Sequence, residues 1–114
     1  MSGNETKLVK AVIQYLQLRG HMAWRNNTGA SRFQNAPGSP VRYVRFGKRG
    51  ASDVLGVERV TGRIIAVECK DKGEKPTPEQ EQFLAGVRKR NGIGILAYSL
   101  DDVEDGLNGA NSNV

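Results

Sequence analysis

Apolar positions along this chain change period several times, and the changes mark its elements. Leu8, Val9, Val12, Ile13 and Leu16 recur at helical spacing, which predicts an amphipathic helix from Glu5 to about Leu18, closed by Arg19-Gly20. Met22 to Arg25 reads as a short strand. Asn26 to Pro40, rich in Asn, Ser, Gly and Pro, reads as a loop. Val41 to Phe46 alternates as a half-exposed strand does. Asp53–Val57 and Arg63–Lys70 are strand candidates on either side of turn chemistry at Val60-Thr61-Gly62. Helical spacing returns from Pro78 to Arg90 through Phe83, Leu84 and Val87, and Asn91-Gly92 ends it. A last strand runs from Ile93 to Tyr98, a short acidic helix from Leu100 to Leu107, and 108–114 reads as a disordered tail. The order α-β-β-β-β-α-β over residues 1–107 predicts one α/β domain, a mixed sheet flanked by helices.

The strand pair around Val60-Gly62 places polar residues where they are costly. A turn centred on Val60-Thr61 sets Asp53 opposite Glu68, and one centred on Thr61-Gly62 sets it opposite Lys70. Glu68 and Lys70 share a face with Ile64 and Ala66, while Ile65, Val67 and Cys69 point the other way. Two acids and a lysine at the end of a buried strand need partners or a cation. A hard cation such as Mg²⁺ takes carboxylate, carbonyl and water oxygens, so Asp53, Glu68 and the backbone carbonyl of Cys69 form a candidate ligand set. Lys70 can then orient a water or stabilise charge on a phosphate. A structural salt bridge of Lys70 with Asp53 or Glu68 is the plain alternative.

Two helix residues add to this set. Glu5 lies one turn before Leu8 and Val9, at the edge of the apolar stripe, and could approach the metal; it also completes a capping box with Ser2. Gln80 is on the inward stripe of the second helix and belongs to a Thr77-Pro78-Glu79-Gln80 capping box, a role compatible with one at the site.

Charge then suggests what the site meets. The formal charge is +5, and Thr6 to Ser52 contains no Asp or Glu. That stretch is a candidate phosphate-binding surface. Its cations Arg25, Arg32, Arg45, Lys48 and Arg49, with Lys72 beyond the second strand of the hairpin, are the DNA-binding candidates. Gly47, Gly50 and Gly56 would let a phosphate backbone come close. Trp24 reads as a core aromatic. Cys69 and His21 are single, which leaves no intrachain disulfide and no Cys/His zinc site. The N-terminus shows no signal-type segment and no stretch suits a membrane span, so a reduced, intracellular setting is expected.

The strings Arg49-Gly50-Ala51-Ser52-Asp53-Val54-Leu55-Gly56, Ala66-Val67-Glu68-Cys69-Lys70, Pro76-Thr77-Pro78-Glu79-Gln80 and Asn91-Gly92-Ile93-Gly94 together resemble the virus-type replication-repair nuclease (VRR-NUC) domain, a branch of the PD-(D/E)xK superfamily. The resemblance runs from about Glu5 to Tyr98. It implies a restriction-endonuclease-like fold and Mg²⁺- or Mn²⁺-dependent hydrolysis of DNA, with Asp53 and Glu68 as metal carboxylates, Lys70 as catalytic lysine, Glu5 as the helix-one acid and Gln80 as the helix residue after the core motif. The superfamily's proline before the first aspartate is Ser52 here. Stand-alone members of this size look like phage or prophage proteins and resemble Holliday junction resolvases. That implies branched DNA as substrate, a homodimer, and the cytoplasm of a bacterium or phage-infected host. A flap or structure-independent nuclease stays open, as does a DNA-binding module with an inactive site.

Overall fold

A computed structural model of the chain describes residues 3–27 and 29–112, with the side chains of 29–32, 44–46 and 111–112 left out. The elements are α1 (Gly3–Leu18), β1 (Met22–Arg25), β2 (Gly29–Phe33), β3 (Arg42–Phe46), β4 (Val54–Val57), β5 (Ile64–Cys69), α2 (Pro78–Lys89), β6 (Ile93–Ala97) and α3 (Leu100–Ser112). Four strands form a mixed sheet in the order β1-β4-β5-β6, antiparallel except for the parallel β5–β6 pair that α2 connects. The α/β class and the mixed sheet flanked by helices are as the sequence predicts.

The β4–β5 hairpin decides between the two registers. Val54 pairs with Val67 and Val57 with Ile64, which is the arrangement centred on Val60-Thr61. Glu58 holds that turn. Its carboxylate accepts from the N–H of Val60 at 3.0 Å and of Thr61 at 2.6 Å, and from the Thr61 hydroxyl. Its own N–H donates to the Arg63 carbonyl at 2.8 Å. The Thr61 hydroxyl is the main reason the Glu58 carboxyl is lowered to about 2. Four hydrogen bonds at one end of the hairpin thus fix which residues meet Asp53 at the other.

Alternation then divides the sheet into two faces. One carries Ala23, Val54, Ile65, Val67, Cys69, Ile93, Ile95 and Ala97, and packs on Val9, Val12 and Leu16 of α1 and Val103 and Leu107 of α3. All of these are buried, each large side chain contributing about 1.5–3 kcal/mol by leaving water. The other face is under α2, which packs over β5 and β6 and fully buries only Leu84 among its own residues. There Met22, Trp24 and Ile64 are 62%, 45% and 44% exposed.

Several expectations change. Trp24 is not a core residue, because it stands on the face that α2 leaves open. The loop expected from Asn26 to Pro40 contains β2, which pairs with β3 from Gly29↔Phe46 to Phe33↔Arg42 as a two-stranded ribbon apart from the main sheet. The helix α3 continues through 108–112, which reads as tail in sequence, and the Ala110 carbonyl there accepts from Arg63 Nη1 at 3.4 Å. Helix α1 begins at Gly3; Ser2 of its expected capping box lies outside the described residues, as do 113–114.

Candidate active site

The end of the β4–β5 hairpin gathers three of the residues singled out by spacing, and α2 adds a fourth. Asp53 precedes β4, so its carboxylate is free to replace a ladder acceptor: Oδ2 accepts from the Cys69 N–H at 2.9 Å. Glu68, 3% exposed, lies beside it on β5. Lys70 follows two residues later, its Nζ 3.9 Å from Glu68 Oε1, and its N–H donates to the Ala97 carbonyl of β6 at 3.0 Å. Asn26 closes the site from the β1 side. Its N–H donates to the Asp53 carbonyl at 2.7 Å and its Nδ2 to the Ser52 carbonyl at 3.2 Å.

Gln80 is bonded at both ends of its amide. Oε1 accepts from the Thr77 N–H at 2.9 Å while the Thr77 hydroxyl accepts from the Gln80 N–H at 3.2 Å, completing the capping box. Nε2 donates to Glu68 Oε1 at 3.0 Å. The cap that starts α2 therefore also aims a donor at the buried acid.

Burial first, and the Asp53 charge second, push the Glu68 carboxyl up to about 8, against the opposing pull of Lys70. Glu68 Oε1 has Gln80 and Lys70, but Oε2 is buried with no hydrogen-bond partner among the described residues. A buried carboxylate oxygen without a donor, next to a second carboxylate, suits a divalent cation, whose charge would return Glu68 to its ionised form. Cys69 offers only its backbone here. Its thiol faces the α1 side, and desolvation, then Asp53, Glu68 and Glu5, raise it to about 12, far from a nucleophile.

Glu5, expected near the metal, is buried on α1 and stands with Asp71 and Glu74, their carboxylate oxygens within 4.8 Å of one another. Its hydrogen bond is the main cause raising the Glu74 carboxyl. Sequence reasoning considered Glu5 without these two loop acids, because nothing in linear spacing shows that the segment after β5 folds back to the start of α1. It also missed Asn26, which looks like any loop asparagine.

No family model matches the chain. A solved structure described as "VRR_NUC domain" superposes with a TM-score of 0.63 over 91% of this chain and 94% of that one, at 22% identity. The fold is that of a VRR-NUC domain. A curated protein named "Putative nuclease p44", from Acyrthosiphon pisum secondary endosymbiont phage 1, is 51% identical over 43 residues, which are 38% of this chain and 45% of that protein's length.

The VRR-NUC fold of this chain sets the basic candidates around the site in different ways. Lys48 and Arg49 line a cleft with Glu79, Gln82 and Phe83 of α2, one turn from Gln80. Gly50 at φ +81° brings that basic turn against α2, where a Cβ would lie 2.5 Å from the Glu79 carbonyl oxygen. Gly56 similarly abuts the Met22 carbonyl of β1, 2.3 Å from an added Cβ. Both glycines thus serve close contact within the protein. Arg25 ends β1 beside Asn26, and Lys72 is exposed in the loop after Lys70. Arg32 and Arg45 are on β2 and β3, and their side chains lie outside the described residues. Among the described residues, no helix is long and apolar enough to cross a membrane.

Proposed function

We propose that this protein is a divalent-metal-dependent DNA endonuclease that cuts branched DNA as a homodimer, in the manner of a Holliday junction resolvase. The observation that carries the hydrolytic reading is the partnerless buried oxygen of Glu68 between Asp53 and Lys70. The fold and the name of the phage relative support a nuclease, and the acid-free basic stretch from Thr6 to Ser52 supports a polyanionic substrate.

Asp53, Glu68 and the Cys69 carbonyl would hold Mg²⁺ or Mn²⁺, with Glu5 as a further acid from α1. Bound there, the cation supplies Lewis acidity toward the oxygens of the scissile phosphate. The chain's own groups do the rest. The Cys69 N–H holds Asp53 in one orientation, and Gln80 Nε2 holds Glu68 Oε1, which leaves Oε2 for the cation. The Lys70 ammonium, largely buried, offers a donor and a positive charge where negative charge grows on the phosphate as a water attacks in line. Lys48 and Arg49 grip the backbone of the strand being cut, with Arg25, Arg32, Arg45 and Lys72 as further phosphate contacts.

The deciding experiment offers labelled four-way junction, linear duplex and flap DNA with Mg²⁺ or Mn²⁺ to the wild type and to Lys70→Ala. Symmetric paired nicks on the junction are expected, with Lys70→Ala slower by about 10²–10³-fold while fold and DNA binding stay near wild type. Equal rates for the variant would remove Lys70 from the mechanism. Tight, metal-dependent binding with no cutting of any substrate would make the protein a binding module.

A further inference from the structure

The segment between Asn26 and Asp53 is made differently from the rest of the molecule. It holds Arg32, Arg42, Arg45, Lys48 and Arg49, five of the chain's 17 Lys and Arg, and none of its 12 Asp and Glu. Elsewhere cations and acids balance, twelve against twelve, so the formal charge of +5 resides in this segment alone. Its strands β2 and β3 pack chiefly on each other, outside the main sheet. A two-stranded ribbon with no core behind it adds little stability, so its side chains are free to serve something else.

The far end of the ribbon, 33–43, is nonetheless ordered by its own bonds. Ala36-Pro37-Gly38-Ser39 forms a type II turn, with Gly38 at φ +84° and the Ser39 N–H donating to the Ala36 carbonyl at 3.0 Å. Gln34 Nε2 donates to the Ser39 carbonyl at 2.9 Å and braces the loop across its width. Two rings stand where this tip joins the strands, Phe33 49% exposed and Tyr43 75% exposed. Phe33 pairs with Arg42, the neighbour of Tyr43, so the two rings take opposite sides of the ribbon. The tip thus carries an uncovered ring on each flank and the exposed Arg42 between them in register.

We propose that this tip recognises DNA branch points, entering where the base stack is broken and laying Phe33 and Tyr43 against open base faces. Charge brings the ribbon to the polyanion, and the rings select the structure. In linear duplex every base pair is covered by its neighbours, so a ring finds a face only by forcing a step apart, which is costly. At a branch, helix ends and unpaired nucleotides present faces that are already open, and an aromatic ring stacks on any base. One ring on each side of a narrow ribbon suits two helix ends that meet. The turn and the Gln34 brace hold the tip in shape beforehand, so binding orders little. The ribbon is rooted next to the Asn26–Asp53 hydrogen bond, and its return leads through the Lys48-Arg49 turn on α2. Strands leaving a branch held at the tip therefore have a basic path back toward the hydrolytic residues. That they are cut there rests on the nuclease reading above; recognition by the tip does not.

Binding measured in EDTA, where nothing is cut, tests the tip: anisotropy of a labelled four-way junction beside linear duplex with the same arm sequences. Tyr43→Ala and Phe33→Ala should each weaken junction binding by about 5- to 100-fold and leave duplex binding within about twofold. Tyr43→Phe, which keeps the ring, should bind the junction like wild type. Both rings are exposed, so circular dichroism and sedimentation of the variants should match wild type. A 2-aminopurine placed at the branch should change its emission with wild type and not with the double variant Phe33→Ala/Tyr43→Ala. Unchanged junction affinity in the double variant overturns the proposal, and so does an equal loss on duplex. A variant of altered sedimenting mass also overturns it, since the ribbon is then a contact between copies. Selective loss in a protein that cuts no DNA with Mg²⁺ or Mn²⁺ would uphold the tip and sink the nuclease reading; unchanged binding in a protein that cuts would do the reverse.

Discussion

The face of the sheet under α1 and α3 and the face under α2 are made of alternate residues of the same strands, yet one is sealed and the other is left partly open. On β5, Ile65, Val67 and Cys69 go to the sealed side, among Val9, Val12 and Leu16. Ile64, Glu68 and Lys70 go to the open side, where a carboxylate oxygen has no hydrogen-bond partner among the described residues and an isoleucine stands half in water. Stability is thus concentrated on one parity of the strand and the proposed chemistry on the other. That separation lets a site carry a costly buried acid, because the residues that hold the fold together are not the ones the acid disturbs.

The sharpest way to break this contrast is to truncate one residue on each face. Leu16→Ala, fully buried, should cost about 2–5 kcal/mol, and Ile64→Ala, 44% exposed, at most about half as much, by urea denaturation. Equal costs would mean that the open face is as much a part of the core as the sealed one. Gln80 sharpens the contrast from the α2 side. Gln80→Ala removes both the cap and the donor to Glu68, so it should lose about 0.5–2 kcal/mol of stability and also slow cleavage. Gln80→Glu keeps the capping box but brings a like charge to Glu68, so melting should stay near wild type while cleavage falls. If melting and cleavage fall together in both variants, the amide does not divide its roles as its two bonds indicate.

The smallest effect belongs to Glu58, which serves both faces by fixing the register. Its carboxyl lies near 2 in the folded chain against an ordinary value of 4.5, so the stability it contributes is present above about pH 4.5 and is lost as pH falls through about 2. Melting temperatures of Glu58→Gln and wild type should therefore converge as pH drops through that window, the wild type being the more stable above it. A gap that stays constant down to pH 2 would assign Glu58 a role independent of its charge.

The strands and helices that build the sealed face were legible in the sequence, because Val9, Val12 and Leu16 on one element and Ile65 and Val67 on another repeat at the periods burial imposes. So was the grouping of Asp53, Glu68, Lys70 and Gln80, since strand parity and a capping box both follow from spacing. Three things were not. Alternation says which side Trp24 takes, not whether anything covers that side, and α2 does not. Strand β2, Gly-Ala-Ser-Arg-Phe, has almost no apolar signal, since a ribbon that pairs only with β3 need not bury a face. The end of α3, rich in Asn and Gly, is formed from residues with weak helical preference and is held from outside, by Arg63 on the Ala110 carbonyl.

The bond from the Asn26 N–H to the Asp53 carbonyl also has a meaning for how such a chain can change. The chain between those two residues, the β2–β3 ribbon included, departs and returns at this clasp, and its basic turn rests on α2. Because the entropy of closing a loop grows only slowly with its length, segments grafted into that excursion, or trimmed from it, would leave Asp53 where it is. The clasp is a port: the excursion can be rewritten while Asp53 and the residues around it keep their places.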